Sequence, residues 1–324
     1  MDIFNNIILK IEQLNEQVAF QESQADFHIA FGIDKNFARG MGILIDAIHS
    51  HNATENIVFH VFTDGIEPSD VEKLKQLTKY QNISIQIYYI DINVFKSLPT
   101  TLAWSYATYY RFIMGKVLYG IVDKVLYIDA DILCIGPLAE LKNIDMDHNI
   151  VLAIAEEGQF NVKRLGLQHG KYFNAGALYI DINKWNDAQI AEQAIALLQQ
   201  NPEKYTYLDQ DVLNILLDGK TCFIDRKWNY LYDMRKMNSE LPSGMILVHF
   251  IGDKPWQRWS EHHFMVNLYN QYAQKSPWAN APLVEPSHYK EKKRMARSYM
   301  KRNMYQKALY WYVQYSISKM KTQK

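Results

Sequence analysis

Short apolar runs alternate along this chain with segments in which apolar residues recur every three or four positions. The runs at 28–32, 57–62, 83–89 and 125–128 are rich in β-branched and aromatic residues and read as strands. Residues 38–48 show helical spacing. Ser69-Asp70-Val71-Glu72 reads as a capping box that opens a helix to about Tyr80, and 104–118 reads as a helix containing Arg111. Strands alternating with helices predict an α/β domain with a doubly wound sheet. Such sheets bind ligands outside the carboxyl ends of their strands. Asp34 and Asn36 follow the first strand, and Asp129 and Asp131 end the fourth, so all four fall on that edge. Further on the alternation loosens. Residues 151–155, 177–180 and 245–250 read as strands, and 188–199 and 207–217 as helices. Residues 1–26 carry Ile7, Ile8, Ile11, Leu14 and Val18 at helical spacing and read as a packing arm.

Composition adds two points. A hydrophobic content of 48% supports a sizeable core and argues against wholesale disorder. The net charge of zero hides a segregation: from His288 to Lys324 there are eleven Lys and Arg against one acid, Glu291, so the body is about −10 and the tail about +10. That asymmetry predicts an anionic partner for the tail. Lys290, Lys293, Arg294, Arg297 and Lys301 follow helical spacing along one face, and Met300, Met304, Ala308, Trp311 and Tyr315 along another. The pattern fits the surface of an anionic bilayer. A helix packed on the acidic body is the alternative, and nucleic acid is not preferred. No apolar run reaches the ~18 residues of a membrane span. The start, MDIFNNIILK, does not read as a secretory leader. Cys134 and Cys222 lie in apolar runs, which favours buried free thiols in a reducing compartment over a disulfide.

The candidate chemistry centres on KVLYIDADILCIGP, residues 124–137. Two carboxylates inside an apolar run are costly unless something compensates their charge. At a period of two, Asp129 and Asp131 point the same way, and two such oxygens at a strand end suit Mg²⁺ or Mn²⁺. A turn with solvated aspartates satisfies the same residues. Asp209-Gln210-Asp211 opens a helix, where carboxylates favour the dipole and Asp209 also suits an N-cap. Asn174-Ala175-Gly176 either lets backbone approach a ligand closely or makes a tight turn. Trp104, Trp185, Trp228 and Trp256 are candidates for stacking on sugar faces, with core packing the commoner use. No G-x-G-x-x-G follows the first strand and no G-x-x-x-x-G-K-[ST] occurs anywhere, so dinucleotide oxidoreductases and P-loop enzymes fit poorly.

FGIDKNF, YIDADIL, YFNAG, YLDQDVLN and HFIGDKPW occur in that order, with SPW at 276–278. Together they resemble glycosyltransferase family 8, retaining enzymes of the GT-A fold, and within it the bacterial lipopolysaccharide core glucosyl- and galactosyltransferases. The resemblance implies a GT-A-like, Rossmann-like mixed sheet flanked by helices over residues 27–286. Residues 1–26 would be the arm and 287–324 a basic membrane-associating tail. It further implies that Asp129, Asp131 and His249 hold Mg²⁺ or Mn²⁺ against a nucleotide diphosphate, and that Gly252 and Lys254 contact that diphosphate. Asp34 and Asn36 would face uracil and ribose, and Arg111 and Asn174 would lie near the donor hexose. Asp209 and Gln210 are the implied catalytic and sugar-binding pair. Glu156 stands where the family often has an aspartate. The implied activity is retaining transfer of glucose or galactose from a UDP-hexose to the lipopolysaccharide core, as α-1,2-glucosyl or α-1,3-galactosyl transfer. The place would be the cytoplasmic face of a Gram-negative inner membrane. A nucleotide-sugar hydrolase and a non-catalytic nucleotide-sugar binding protein are the alternatives. Retention with so weak a nucleophile as Gln210 points to front-face substitution, with Asp209 and Gln210 positioning the sugar.

Overall fold

The computed structural model describes residues 4, 6–15, 20–101, 105–236 and 240–322. The chain forms two compact units. One comprises residues 1–230 and 242–249, the other 231–241 and 250–324. Trp104, named above as a candidate sugar contact, lies outside the described residues.

The first unit is built on β1 (Ile8–Gln13), β2 (Phe27–Ile33), β3 (Ile57–Thr63), β4 (Ile83–Ile90), β5 (Lys124–Ile128), β6 (Ile132–Cys134), β7 (Val151–Ala153), β8 (Ala177–Asp181) and β9 (Thr221–Phe223). Eight of these make one sheet in the order β1-β4-β3-β2-β5-β8-β7-β9. β4, β3, β2 and β5 run parallel, while β1, β8 and β7 pair antiparallel with β4, β5 and β8 respectively. The sheet is therefore mixed, as the family resemblance implies: the parallel winding read from the strand–helix alternation holds for its central strands, and β9 also pairs parallel with β7 at one edge. β3, flanked on both sides, is buried at every position, which is why 57–62 is apolar at every position but His60. The helices include α1 (Ala38–His51), α2 (Pro68–Leu77), α3 (Tyr110–Val117), α4 (Phe160–Leu165), α5 (Ile182–Asp187), α6 (Ile190–Gln200) and α7 (Leu208–Leu216). β2 feeds α1 and β3 on one side, and β5 lies on its other side, so the sheet changes winding direction between β2 and β5. The loop with Asp34 and the triplet Asp129-Ala130-Asp131 leave these two strands at the same end.

Several local readings are corrected. Ile8–Gln13 is an edge strand, not part of a helix: Ile7 and Leu14 are buried, but Leu9 and Ile11 face solvent, and pairing with β4 decides the conformation. Ser69 does not cap α2. Glu67 is the N-cap and Pro68 occupies the first turn, where its missing N–H costs nothing. The helix expected over 188–199 is present as Ile190–Gln200, starting two residues later because its N-cap Gln189 has φ +50°. Cys134 and Cys222 are both free, and burial pushes the Cys134 thiol up to about 12.

Inside the sheet, His60 takes part in a chain of polar contacts. Its Nε2 lies 3.0 Å from His28 Nδ1, and its Nδ1 lies 3.1 Å from the Tyr88 hydroxyl. Burial, with a smaller contribution from His28, holds its pKa down to about 3. The unfolded chain binds this proton near pH 6.5 and the folded chain does not until about 3, so stability falls as pH drops through that window. Acidification from pH 6.5 to 5 is expected to cost about 2 kcal/mol through this residue. Urea midpoints against pH should show a flatter acid limb in His60→Gln, and an unchanged limb contradicts the assignment.

The second unit contains α8 (Met265–Ala273), α9 (Tyr289–Lys301) and α10 (Tyr305–Thr322). The basic tail is not one helix. Asn303, at φ +58°, breaks it, and Asn tolerates that left-handed conformation. α9 and α10 fold back on each other: the Tyr289 and Tyr315 rings lie 6.1 Å apart, and Lys292 Nζ donates to Ser318 Oγ. The stripe expected to face outward is corrected accordingly. Ala308 is fully buried, and the apolar residues α10 exposes are Tyr305, Leu309, Tyr310, Val313, Ile317 and Met320. Arg294 is paired with Asp253.

Candidate active site

Two strand registers build the centre of the site. Asp129-Ala130-Asp131 carries the chain from β5 into β6, and β6 pairs antiparallel with residues 247–249, setting His249 opposite Ile132. This places the imidazole beside Asp131, with Nε2 3.2 Å from Asp131 Oδ1. On the other side β8 pairs with β5, and the Asp129 amide donates to Gly176 O at 2.7 Å. One ligand atom from each of Asp129, Asp131 and His249 lies within 4.8 Å of the others. Two carboxylates and a buried imidazole form a mixed O/N set that suits a divalent cation, and the acids come from the fourth central strand as the sequence reading requires. A Cβ on Gly176 would lie 2.4 Å from His249 Cε1, so the ring occupies space that only glycine leaves open. Gly176→Ala should therefore displace the imidazole and weaken Mn²⁺ binding by roughly 10- to 100-fold, a loss comparable to that for removing a group that orients a ligand. Electron paramagnetic resonance of free Mn²⁺ measures it, and unchanged affinity argues against ligation by His249.

Arg111 lies beneath the acids. Its Nη2 is 3.0 Å from Asp129 Oδ1 and its Nε 3.1 Å from Asp209 Oδ2. It also donates to the carbonyls of Thr108 and Ala175, and its guanidinium lies over the Tyr127 ring. Tyr127 donates to the same Asp129 oxygen at 2.8 Å, which leaves Oδ2 for ligation. Burial alone would lower the arginine's pKa, but the surrounding acids, Asp209 foremost, raise it overall. Burial raises the Asp209 carboxyl, with Arg111 and the Thr108 hydroxyl pulling against it. Both Asp209 oxygens are engaged, one by Thr108 at 2.5 Å and the other by Arg111. Asp209 is not the N-cap of α7: Tyr207 takes that place, and its amide donates to Asp211.

Asn174 and Gln210 form a second cluster against the first. The Gly176 amide donates to Asn174 Oδ1 at 3.0 Å, and the Ala175 amide donates to Gln210 Oε1 at 3.0 Å. Asn174 Nδ2 reaches Glu156 and Gln210, and Gln210 Nε2 reaches Glu156 and the Tyr172 hydroxyl. Tyr172 donates on to Asp211, which Arg164 holds through two bonds. At the neighbouring strand end, Asp34 Oδ1 accepts from the Asn36 amide and Oδ2 from Ser105 Oγ, while Asn36 is exposed. Gly252 and Lys254 belong to the second unit. Gly252 has φ +82° with the Arg235 side chain against it, and Lys254 Nζ donates to Phe250 O at 2.6 Å. Trp185, Trp228 and Trp256 are buried. Tyr127 and Tyr172, the first residues of YIDADIL and YFNAG, join these networks, as do Thr108 and Asn229, which no sequence signal marks.

The fold is that of a GT-A glycosyltransferase. The solved structure of the galactosyltransferase LgtC in complex with donor and acceptor sugar analogues superimposes with a TM-score of 0.68, covering 77% of this chain and 96% of that one at 24% identity. The chain belongs to glycosyl transferase family 8. The family's sequence profile matches residues 28–260 and its C-terminal profile residues 265–319. The lipopolysaccharide 1,3-galactosyltransferase of Salmonella typhimurium is 36% identical, covering 96% of each chain. The lipopolysaccharide glucosyltransferase WaaO of Escherichia coli K12 is 34% identical, covering 90% of this chain and 91% of its own.

Proposed function

We propose that this glycosyltransferase moves glucose or galactose from a UDP-hexose to the lipopolysaccharide core with retention, as α-1,2-glucosyl or α-1,3-galactosyl transfer. The convergence of Asp129, Asp131 and His249 beside the amide cluster of Asn174 and Gln210 carries the reading. Relatives of nearly equal length that bear lipopolysaccharide galactosyl- and glucosyltransferase names supply the acceptor class. Mg²⁺ or Mn²⁺ held by the three ligands supplies Lewis-acid stabilisation of the charge that develops on a departing diphosphate. Asp34 and Asn36, at the adjacent strand end, are assigned to the nucleoside. Gly252 and Lys254 are assigned to the diphosphate, where the lysine adds a point charge.

Asp209 and Gln210 position the sugar. Asp209 has both oxygens engaged and little exposure, which disfavours it as a covalent nucleophile and supports front-face substitution. Gln210 and Asn174 present amides whose directions are fixed by backbone N–H groups, a preorganised arrangement for sugar hydroxyls. Arg111, buried and bound to Asp129 and Asp209, holds the acids in place.

We assign the tail to the cytoplasmic surface of an anionic inner membrane. Leu309, Val313 and Ile317 lie at four-residue spacing on exposed α10 with Lys319 and Lys321 nearby. Among the described residues no helix is long and apolar enough to cross a membrane. Flotation with phosphatidylglycerol vesicles should fall in Leu309→Glu/Ile317→Glu, and undiminished flotation removes this assignment.

A donor screen with truncated lipopolysaccharide acceptors, reading product linkage by NMR, tests the activity. Hexose transfer with an α linkage is expected. UDP release at the same rate without acceptor identifies a hydrolase instead, and binding without turnover identifies a non-catalytic receptor.

A further inference from the structure

We infer that Asn229 is a positioning residue: it keeps a proton on Nδ1 of His249, so that Nε2 is the atom free for a cation, and it ties that ring to Asn174. The inference rests on the metal reading above for its consequence, and on hydrogen-bond direction for its substance. Asn229 is fully buried, and its side chain bridges the two residues. Its Oδ1 lies 3.1 Å from His249 Nδ1, and its Nδ2 lies 2.9 Å from Asn174 Oδ1.

The directions of these bonds follow from one backbone group. The Gly176 amide can only donate, so the Asn174 atom facing it is the oxygen. That oxygen also faces Asn229, so the Asn229 atom turned toward it is the nitrogen. The Asn229 atom left for His249 is then an oxygen, which requires a hydrogen on Nδ1. Reversing either amide would set donor against donor at Gly176 or oxygen against oxygen at Asn174. Asp131 Oδ1, 3.2 Å from Nε2, competes for a proton on the opposite nitrogen. Whichever group faces Nε2, the Asn229 oxygen opposite Nδ1 calls for a hydrogen there. Histidine ligands commonly need such a partner on the remote nitrogen to fix tautomer and orientation. Here the partner is a neutral amide, and the same amide reaches the cluster assigned to the donor sugar.

The test uses two variants of the full-length protein and one measurement on the unmutated chain. Asn229→Asp keeps an acceptor for Nδ1–H and loses the donor to Asn174. Asn229→Leu loses both. Mn²⁺ titrations read by electron paramagnetic resonance should show affinity roughly 10- to 100-fold weaker in Asn229→Leu and within about threefold of the parent in Asn229→Asp. The donor KM should rise in Asn229→Asp despite its retained metal affinity. Parent-like affinity in Asn229→Leu, or equal loss in both variants, overturns the inference. Should Asn229→Leu fail to fold, ¹⁵N spectra of the unmutated, histidine-labelled protein at pH 8 decide the point. The ring signals are assigned by their loss in His249→Gln, and a bare Nδ1 overturns the inference. A parent protein that binds no Mn²⁺ while its Nδ1 carries the proton overturns the metal reading and leaves the bond assignment standing.

Discussion

Asp131→Ala is expected to lower hexose transfer by on the order of 10³-fold at saturating donor, with the near-ultraviolet spectrum of the fold unchanged. The reason is charge. A cation held by Asp129, Asp131 and His249 would stabilise a departing diphosphate by several kcal/mol, and about 4 kcal/mol corresponds to that factor. Asp131 is the ligand that touches His249, so its removal takes away one oxygen and also the neighbour that helps to fix the imidazole. Chelation of the parent enzyme should produce a loss of similar size, reversed by added Mn²⁺ or Mg²⁺. Chelation of Asp131→Ala should then lower its residual rate little further. Transfer within tenfold of the parent in both experiments would mean that the acids serve the fold and the leaving group departs without a cation.

The site was partly legible because some of its features are local and some are not. Asp129 and Asp131 interrupt an apolar run, and acids there are costly unless something compensates their charge. His249 has no such local mark. It reaches Asp131 through the register of β6 with residues 247–249, more than a hundred residues apart in sequence, and only the ordered motifs point to it. Asn229 is less visible still, since a buried amide outside those motifs gives no periodic signal and its role is set by whichever group folding brings opposite. The same reasoning covers the errors of fold. Ile7, Ile8, Ile11 and Leu14 satisfy helical spacing, but β4 offers an unpaired edge, and strand pairing with that edge outweighs local preference. In the tail, helical spacing carried through from Lys290 to Tyr315 suggested one helix, yet a single Asn at positive φ turns the chain, and the turn buries Ala308 while exposing Leu309. Periodicity showed that an apolar face exists, but choosing which face is outward required knowing where the helix breaks.

Arg111→Met is expected to destabilise the protein by about 3–5 kcal/mol, the usual consequence of removing one partner from a buried ion pair. Methionine fills much of the arginine's volume, so lost packing contributes little. The cost comes from the acids left behind: Asp209, buried with one oxygen on Arg111, and Asp129, which shares its Oδ1 between Arg111 and Tyr127. For a unit of this size the thermal midpoint should fall by roughly 10 °C. The sign of the pH dependence separates this cause from simple loss of packing. Burial already raises the Asp209 carboxyl above its ordinary value of 3.8, and Arg111 opposes that shift, so its removal raises the carboxyl further. A carboxyl with a raised folded-state pKa contributes stability below its unfolded value and loses it as pH climbs through the folded one. The deficit of Arg111→Met relative to the parent should therefore be greatest at neutral pH and shrink on acidification toward pH 4. Comparison with the parent at each pH cancels the opposing acid sensitivity of His60, which both proteins share. The double variant Arg111→Met/Asp209→Asn should recover part of the loss at pH 7, because one of the two uncompensated charges is gone. A deficit that does not vary with pH, together with no recovery in the double variant, would assign the cost to the guanidinium's bonds to the Thr108 and Ala175 carbonyls instead.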